Sequence, residues 1–349
     1  MPARTVPVSP ADGGKPARAS ARLRPEVELI GGAMHLSDSV LWLDSPRRQA
    51  LSFVSHAHGD HIARHDRIIA TDATARLVAK RLGALSHALT VPYRQPVDLG
   101  PLRLELFPAG HVVGSAQLRV ERAGRRVVYT GDLCLGPSLT AEEAEIVPCD
   151  VLVLEATFGH PRYALPSRPD ALAQVEAFVA GCLARGESPV LLAYALGKSQ
   201  EVIRHLGGKG FVLRGDDNVC AMSQVYREAG CDLPPVARFR GLLPPGEVLI
   251  VPPQRARSPS VRRLPRPRSA VLTGWAADDG AARRYRADVA IPLSDHADFG
   301  QLVRYAEESG AREIYTVHGF CEELAGELRA RGLRARPLDA GRQLELFDG

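Results

Sequence analysis

Ser55-His56-Ala57-His58-Gly59-Asp60-His61 follows the apolar run Leu51-Ser52-Phe53-Val54. That run reads as a short buried strand, which sets the polar stretch at the strand's C-terminal end. Three imidazoles and a carboxylate fall within the six residues 56–61. Crowding four ionisable groups at one strand end is costly unless something positive holds them together. A zinc ion does so, because neutral imidazole nitrogen and carboxylate oxygen are its usual non-sulfur ligands. The four side chains of one short loop cannot all reach one ion, so the pattern H-x-H-x-D-H calls for two adjacent metals. The alternative is a solvated His-rich turn.

Outward from this loop, strand after strand ends in one polar residue. Upstream, short apolar segments from Val27 to Leu43 read as β-hairpins, and Asp44 closes the last of them. Asp44 either orients the metal loop from behind or simply ends a strand. Downstream, a helix is predicted over Asp72 to Leu82, starting near Thr71, then a strand pair over Val97 to Phe107. The pair leads into Pro108-Ala109-Gly110-His111-Val112-Val113-Gly114, where a His sits between two glycines with no packing reason in the sequence. Arg126 to Tyr129 ends in Thr130-Gly131-Asp132, and Val151 to Leu154 ends in Glu155-Ala156-Thr157-Phe158-Gly159. Near the C-terminus, Asp288 to Leu293 ends in Ser294-Asp295-His296, and Glu313 to Val317 ends in His318-Gly319. One such residue is unremarkable; a series is a site built on one rim of a sheet.

Between these parts the pattern changes to alternating strands and helices. Ser167 and Pro169 open a helix with Leu172, Val175, Phe178, Val179 and Leu183 on one face. Gly197-Lys198-Ser199 follows a buried strand, but a P-loop needs its first glycine at position 192, which is leucine, so a nucleotide P-loop is rejected. Lys198, at a helix N-terminus, is instead placed to hold a backbone phosphate. From Pro252 to Arg268 runs a Pro/Arg tract with Arg255, Arg257, Arg262, Arg263, Arg266 and Arg268. It is either a footprint for a polyanion or a solvated surface loop.

At 349 residues with 45% hydrophobic and 24% charged residues, the chain has ordinary globular proportions and room for two domains. Only four of its 44 basic residues are lysine. Arginine forks suit phosphate, although a G+C-rich genome gives the same bias. Residues 1–22, rich in Pro, Ala, Arg and Gly, read as a disordered arm. No apolar run approaches a membrane span and no signal-peptide region precedes the fold. Six scattered cysteines without a C-x-x-C pair point to reduced thiols and a cytoplasmic location, with Cys134 near Asp132 a minor candidate for the metal shell.

The order H-x-H-x-D-H, lone His, Gly-Asp, late His-Gly resembles the metallo-β-lactamase superfamily. Glu155-Ala156-Thr157-Phe158-Gly159, the βα insertion, Ser294-Asp295-His296-Ala297-Asp298 and Val317-His318-Gly319 resemble its β-CASP nuclease branch. Tyr194-Ala195-Leu196-Gly197-Lys198-Ser199-Gln200 and Thr273-Gly274-Trp275 are similar to the bacterial DNA-ligase-associated exonucleases (mRNA 3′-end processing factor-like) of that branch. The resemblance implies an α/β fold, an αββα sandwich over 23–160 and 286–349, with an inserted βα domain over 161–285. It implies that His56, His58 and His111 hold one zinc, that Asp60, His61 and His318 hold a second, and that Asp132 bridges, with manganese the alternative metal. Asp60, Glu155 and His296 would be catalytic, Glu155 and His296 placing the scissile phosphate and protonating the leaving oxygen. Lys198, Arg255, Arg257, Arg262 and Arg263 would track the strand.

The implied activity is a two-zinc DNA exonuclease in ligase-linked repair. A His at position 318 is more typical of RNA-cutting members, so an RNA-processing nuclease is the alternative. An inactive nucleic-acid-binding subunit and a zinc hydrolase of small acyl substrates are further readings. Gln343-Leu344-Glu345-Leu346-Phe347 resembles the peptides that dock on a sliding clamp, so Gln343, Leu344, Leu346 and Phe347 are candidate partner contacts. The same residues also suit a final sheet strand.

Overall fold

The computed structural model describes residues 26–338. The expected N-terminal arm and the tail residues Gln343, Leu344, Leu346 and Phe347 lie outside the described residues. A first sheet takes β1 (Val27–Ile30), β2 (Ala33–Leu36), β3 (Trp42–Leu43), β4 (Ser52–Phe53), β5 (Ile68–Ala70) and β6 (Ala88–Thr90) in that order, with α1 (Asp72–Leu82) between the last two. A second sheet begins with β7 (Val97–Leu99), β8 (Leu102–Pro108), β9 (Ala116–Arg122), β10 (Arg125–Tyr129) and β11 (Val151–Ala156). After α2 (Arg168–Ala184) comes a third sheet: β12 (Ser188–Leu192), β13 (Val212–Gly215), β14 (Ala237–Arg238), β15 (Glu247–Val251), β16 (Pro267–Leu272) and β17 (Val289–Ile291). It is wholly parallel, in spatial order β14-β13-β15-β12-β16-β17. Its connections carry α3 (Lys198–Gly208), α4 (Asp217–Glu228) and the short α5 (Pro259–Arg262) and α6 (Ala281–Arg284). The chain then returns through α7 (Phe299–Glu308), β18 (Glu313–Gly319), α8 (Cys321–Ala330) and β19 (Ala335–Pro337), completing the second sheet as β19-β18-β11-β10-β9-β8-β7.

Alternate residues of a strand face opposite ways, and β11 shows what that does here. Val151 and Val153 enter a core between the first two sheets with Leu43, Phe53, Ile69, Leu104 and Tyr129. Leu152 and Leu154 enter another beneath α7 and α8 with Leu302, Tyr305, Leu324 and Leu328. On the far side, Val54, Ile68 and Ala70 pack against Leu77 and Val78 of α1. Two sheets lie face to face with helices outside them: an αββα sandwich. The core beneath α1 continues into the third sheet's helices through Val202, Ile203, Val219 and Tyr226, so the two units are packed, not tethered. Each fully buried Val or Leu contributes about 1.5–3 kcal/mol.

Local chemistry explains the helix starts. Thr71 and Ser167 each accept a hydrogen bond from a backbone N–H of the first turn, as capping residues do. The hydroxyls of Thr71 and Thr74 also donate to the Gly114 carbonyl at 2.6 and 2.8 Å, tying the start of α1 to the His111 loop. The Pro/Arg tract differs from a plain loop. It forms a helical turn at Pro253–Arg255, then α5, and its last residues already belong to β16. Val261 and Leu264 bury against the third sheet, which is why the tract folds despite its charge. Among the described residues, no helix is long and apolar enough to cross a membrane.

Candidate metal centre

The rim at the C-terminal ends of β4, β10, β11 and β18, with the loops after β8 and β17, gathers the polar residues. His56 Nε2 lies 3.1 Å from His58 Nδ1, and His111 Nε2 lies 3.0 Å from the same atom. Asp132 Oδ2 is 3.3 Å from His56 Nε2, 3.5 Å from His61 Nε2 and 3.7 Å from His111 Nε2. A tetrahedral shell with bonds near ~2.1 Å spaces its ligand atoms by about 3.4 Å. The ligand atoms of His56, His58, His111 and Asp132 all lie within 4.8 Å of one another, so this quartet fits one ion. Burial, then the neighbouring His56, holds His58 down to about 3, and burial followed by His296 keeps His111 well below its ordinary value. Both rings are neutral at pH 7, the form a metal requires.

A second group stands on the other side of Asp132. Asp60 Oδ2 lies 3.5 Å from His61 Nε2, and the His61 and His318 rings are 5.4 Å apart. His318 Nε2 is buried with no hydrogen-bond partner among the described residues, an orphan that a cation would satisfy. The backbone takes an unusual path to present it. β11 and β18 pair Glu155 with Val317 and Ala156 with Gly319, leaving His318 as a bulge residue at φ 60°. A non-glycine residue in this region is strained, and such strain collects at functional sites.

Behind the inward nitrogens, the opposite ring atoms are tied. His61 Nδ1 lies 2.9 Å from Asp44 Oδ2, His111 Nδ1 2.9 Å from the Asp295 carbonyl, His58 Nε2 3.3 Å from the Leu196 carbonyl, and His56 Nδ1 3.0 Å from Ser55 Oγ. Asp44 is a hub: it also accepts from Ser55 N at 2.6 Å, from Tyr129 Oη at 2.8 Å and from the Ser55 hydroxyl. Its own backbone is left-handed, φ 42°, which turns the carboxylate back under the loop. Gly110 supplies the reason for a glycine beside His111. At φ +74° a Cβ there would stand 2.1 Å from the Cys134 carbonyl oxygen. Cys134 itself faces Arg168, with Sγ 3.1 Å from Nη2.

Glu155 and His296 form a pair apart from these ligand sets. His296 Nδ1 lies 3.2 and 3.3 Å from the two carboxylate oxygens, and its Nε2 is 3.9 Å from Asp132 Oδ2. Burial opposes the ring's charge, but Glu155 and Asp132 prevail and lift it to about 9. The shift favours the charged ring at neutral pH, with Nδ1 on Glu155 and Nε2 on the side of Asp132.

The expected nucleic-acid contacts separate. Arg255, Arg257, Arg262 and Arg263 are exposed and make no ion pair among the described residues. Arg257 lines a groove of about 260 Å³ with Tyr194, Gln254, Arg284 and Arg286. Lys198, expected at a phosphate, is buried, and its Nζ donates to Asp295 Oδ1. With its ammonium engaged inside the protein, it offers no charge at the surface. Sequence pattern assigns no role to Asp295 or Tyr129. Asp295 stands in view next to His296, while Tyr129 looks like any buried strand aromatic.

Residues 36–188 match the Beta-lactamase superfamily domain. A protein named as a probable DNA ligase from Opitutus terrae is 39% identical over 307 residues, covering 87% of this chain and 30% of that protein. Endoribonuclease YSH1 of Eremothecium gossypii is 33% identical over 120 residues, 33% of this chain and 15% of its own length. The chain thus spans less than a third of either relative. A solved protein of unknown function from Enterococcus faecalis V583 shares the fold at TM-score 0.58 and 13% identity, covering 83% of this chain and 79% of that one. Residues 36–188 thus lie in a metallo-β-lactamase superfamily domain. Its third sheet, entered and left from the sandwich, fits the inserted domain of the β-CASP branch.

Proposed function

We propose that the chain is a two-zinc phosphodiesterase that cuts nucleic acid, a DNA exonuclease acting beside a ligase in repair. The observation that carries this is the meeting, on one rim, of the His56, His58, His111 and Asp132 cluster with His61 beside Asp132 and with the Glu155–His296 pair. His56, His58 and His111 would hold one zinc, and Asp60, His61 and His318 the other, with manganese the alternative. When bound, two such cations supply a nucleophile at neutral pH and neutralise charge on both oxygens of an in-line displacement at phosphorus. His296 gives its Nε2 proton to the departing oxygen, and Glu155 keeps the ring protonated and oriented. Arg255, Arg257, Arg262 and Arg263, exposed and without an ion pair among the described residues, hold the strand by sequence-blind attraction. In this reading the inserted unit, expected over 161–285 but with its sheet running on to β17 (Val289–Ile291), forms one wall of the cleft and the sandwich forms the other.

DNA is supported by the relative named as a ligase, which aligns with most of this chain. RNA is the second reading, favoured by His318 and by the endoribonuclease relative. Purified protein with end-labelled single-stranded DNA and RNA, with and without chelator, tests both. The expected result is chelator-sensitive shortening from one end, faster on DNA. Faster RNA cleavage overturns the substrate, and undiminished cutting in chelator overturns the metal. The tail Gln343, Leu344, Leu346 and Phe347 is proposed as a sliding-clamp peptide; equal retention on clamp resin without residues 343–349 rejects it.

A further inference from the structure

One imidazole of the first metal pocket is held directly from the inserted unit, and a second through a residue that the same unit anchors. His58 presents Nδ1 to the pocket while its Nε2 lies 3.3 Å from the Leu196 carbonyl, 138 residues away in the chain. His111 presents Nε2 while its Nδ1 lies 2.9 Å from the Asp295 carbonyl, and the Asp295 side chain accepts from Lys198 Nζ. Leu196 and Lys198 flank Gly197 where the loop after β12 enters α3, whose first residue is Lys198. Leu196, Lys198 and Asp295 are all buried, and Asp295 Oδ2 has no partner among the described residues, so Lys198 is the main anchor of that carboxylate. The loop is pressed tight. Gly197 lies at φ +91°, and a Cβ there would be 2.8 Å from Asp295 Oδ2 and 2.9 Å from Val112 Cγ1.

A buried ammonium–carboxylate pair adds little net stability, because desolvating both charges offsets their attraction. What it supplies here is position. A ring that donates one N–H to a fixed carbonyl must present its other nitrogen as a lone pair, which is the form that binds a cation.

We propose that the Leu196–Lys198 loop is a strut through which the third sheet sets the first metal pocket, fixing His58 directly and His111 through Asp295. This rests on the metal-centre reading above. Lys198 and Leu196 are positioning residues, and ion affinity at His56, His58 and His111 depends on this loop being docked. An inserted sheet that forms one wall of the cleft thereby also governs whether the pocket is loaded.

The test is titration of metal-free full-length protein with cobalt(II), followed by visible absorption and by competition with a chelator. Lys198→Met is expected to weaken cobalt binding at the first pocket about 10- to 100-fold, with a changed absorption envelope. Lys198→Arg, which can still reach Asp295, is expected to restore most of that affinity. Gly197→Ala keeps both charges but pushes the loop off Asp295, and is expected to show the same loss. Wild-type affinity and spectrum in Lys198→Met overturn the proposal. If circular dichroism finds Lys198→Met unfolded, wild-type affinity in Gly197→Ala overturns it instead, and a loss there supports it. A wild-type chain that binds no cobalt removes the metal centre itself, a failure distinct from that of the strut.

Discussion

The two pockets that share Asp132 are finished to different degrees. In the first, His56, His58 and His111 are held from behind and their inward nitrogens sit about one ligand spacing apart. In the second, the Asp60 side chain is 61% exposed on a single helical turn, Gly59–His61, and His318 rests on strained backbone with its Nε2 unpartnered. His61 alone, locked to Asp44, has the rigidity of the first group. Under the proposed assignment, the difference implies a first pocket already arranged for an ion and a second whose side chains must still converge on one. The first ion should bind earlier and more tightly, and chemistry should wait for the second.

Asp132→Asn should break this contrast most severely, since Asp132 faces both pockets. Turnover is expected to fall by about 10³-fold or more, and metal analysis should find both ions weakened. His318→Val should sharpen it. Metal content is expected to drop from two ions to one, with first-pocket affinity kept and activity down about 100-fold or more.

Glu155→Gln should leave both pockets loaded and act on protonation alone. Without ions, Glu155 and Asp132 hold the His296 acid form up to about 9 against burial, and loss of the Glu155 carboxylate lowers that limit. The rate is therefore expected to fall about 100-fold near pH 8 and by less near pH 6, read from a pH–rate profile. In metal-free protein the sign is fixed as well. A ring raised from 6.5 to about 9 adds stability fully present below 6.5 and lost as pH rises through 9. Thermal melts across that window should be flatter in Glu155→Gln. The smallest effect is expected from Arg262→Ala with Arg263→Ala. It should weaken DNA binding a few-fold and lower the salt slope by about one for each phosphate no longer neutralised, with both pockets untouched.

Much of this was legible because local chemistry wrote it. The Asp72–Leu82 helix with its Thr71 cap and the Glu247–Val251 strand follow from periodicity and capping. The candidate ligands stood out as polar residues ending apolar strands. What stayed hidden is what tertiary packing assigns. Asp44 could equally have ended a strand, because its partners Ser55, His61 and Tyr129 lie 11, 17 and 85 residues away. The Leu196 carbonyl is a backbone atom with no signature in side-chain pattern. Lys198 carried a phosphate-site context but is turned inward by a carboxylate 97 residues off. The bulge at His318 depends on a register shift between two strands that no single strand announces.

The central claim is most directly tested by cleavage of end-labelled single-stranded DNA against equivalents of zinc returned to metal-free protein. The account predicts no cutting without zinc, little through the first equivalent and a rise through the second. Full cutting at zero equivalents, or at one, would contradict it.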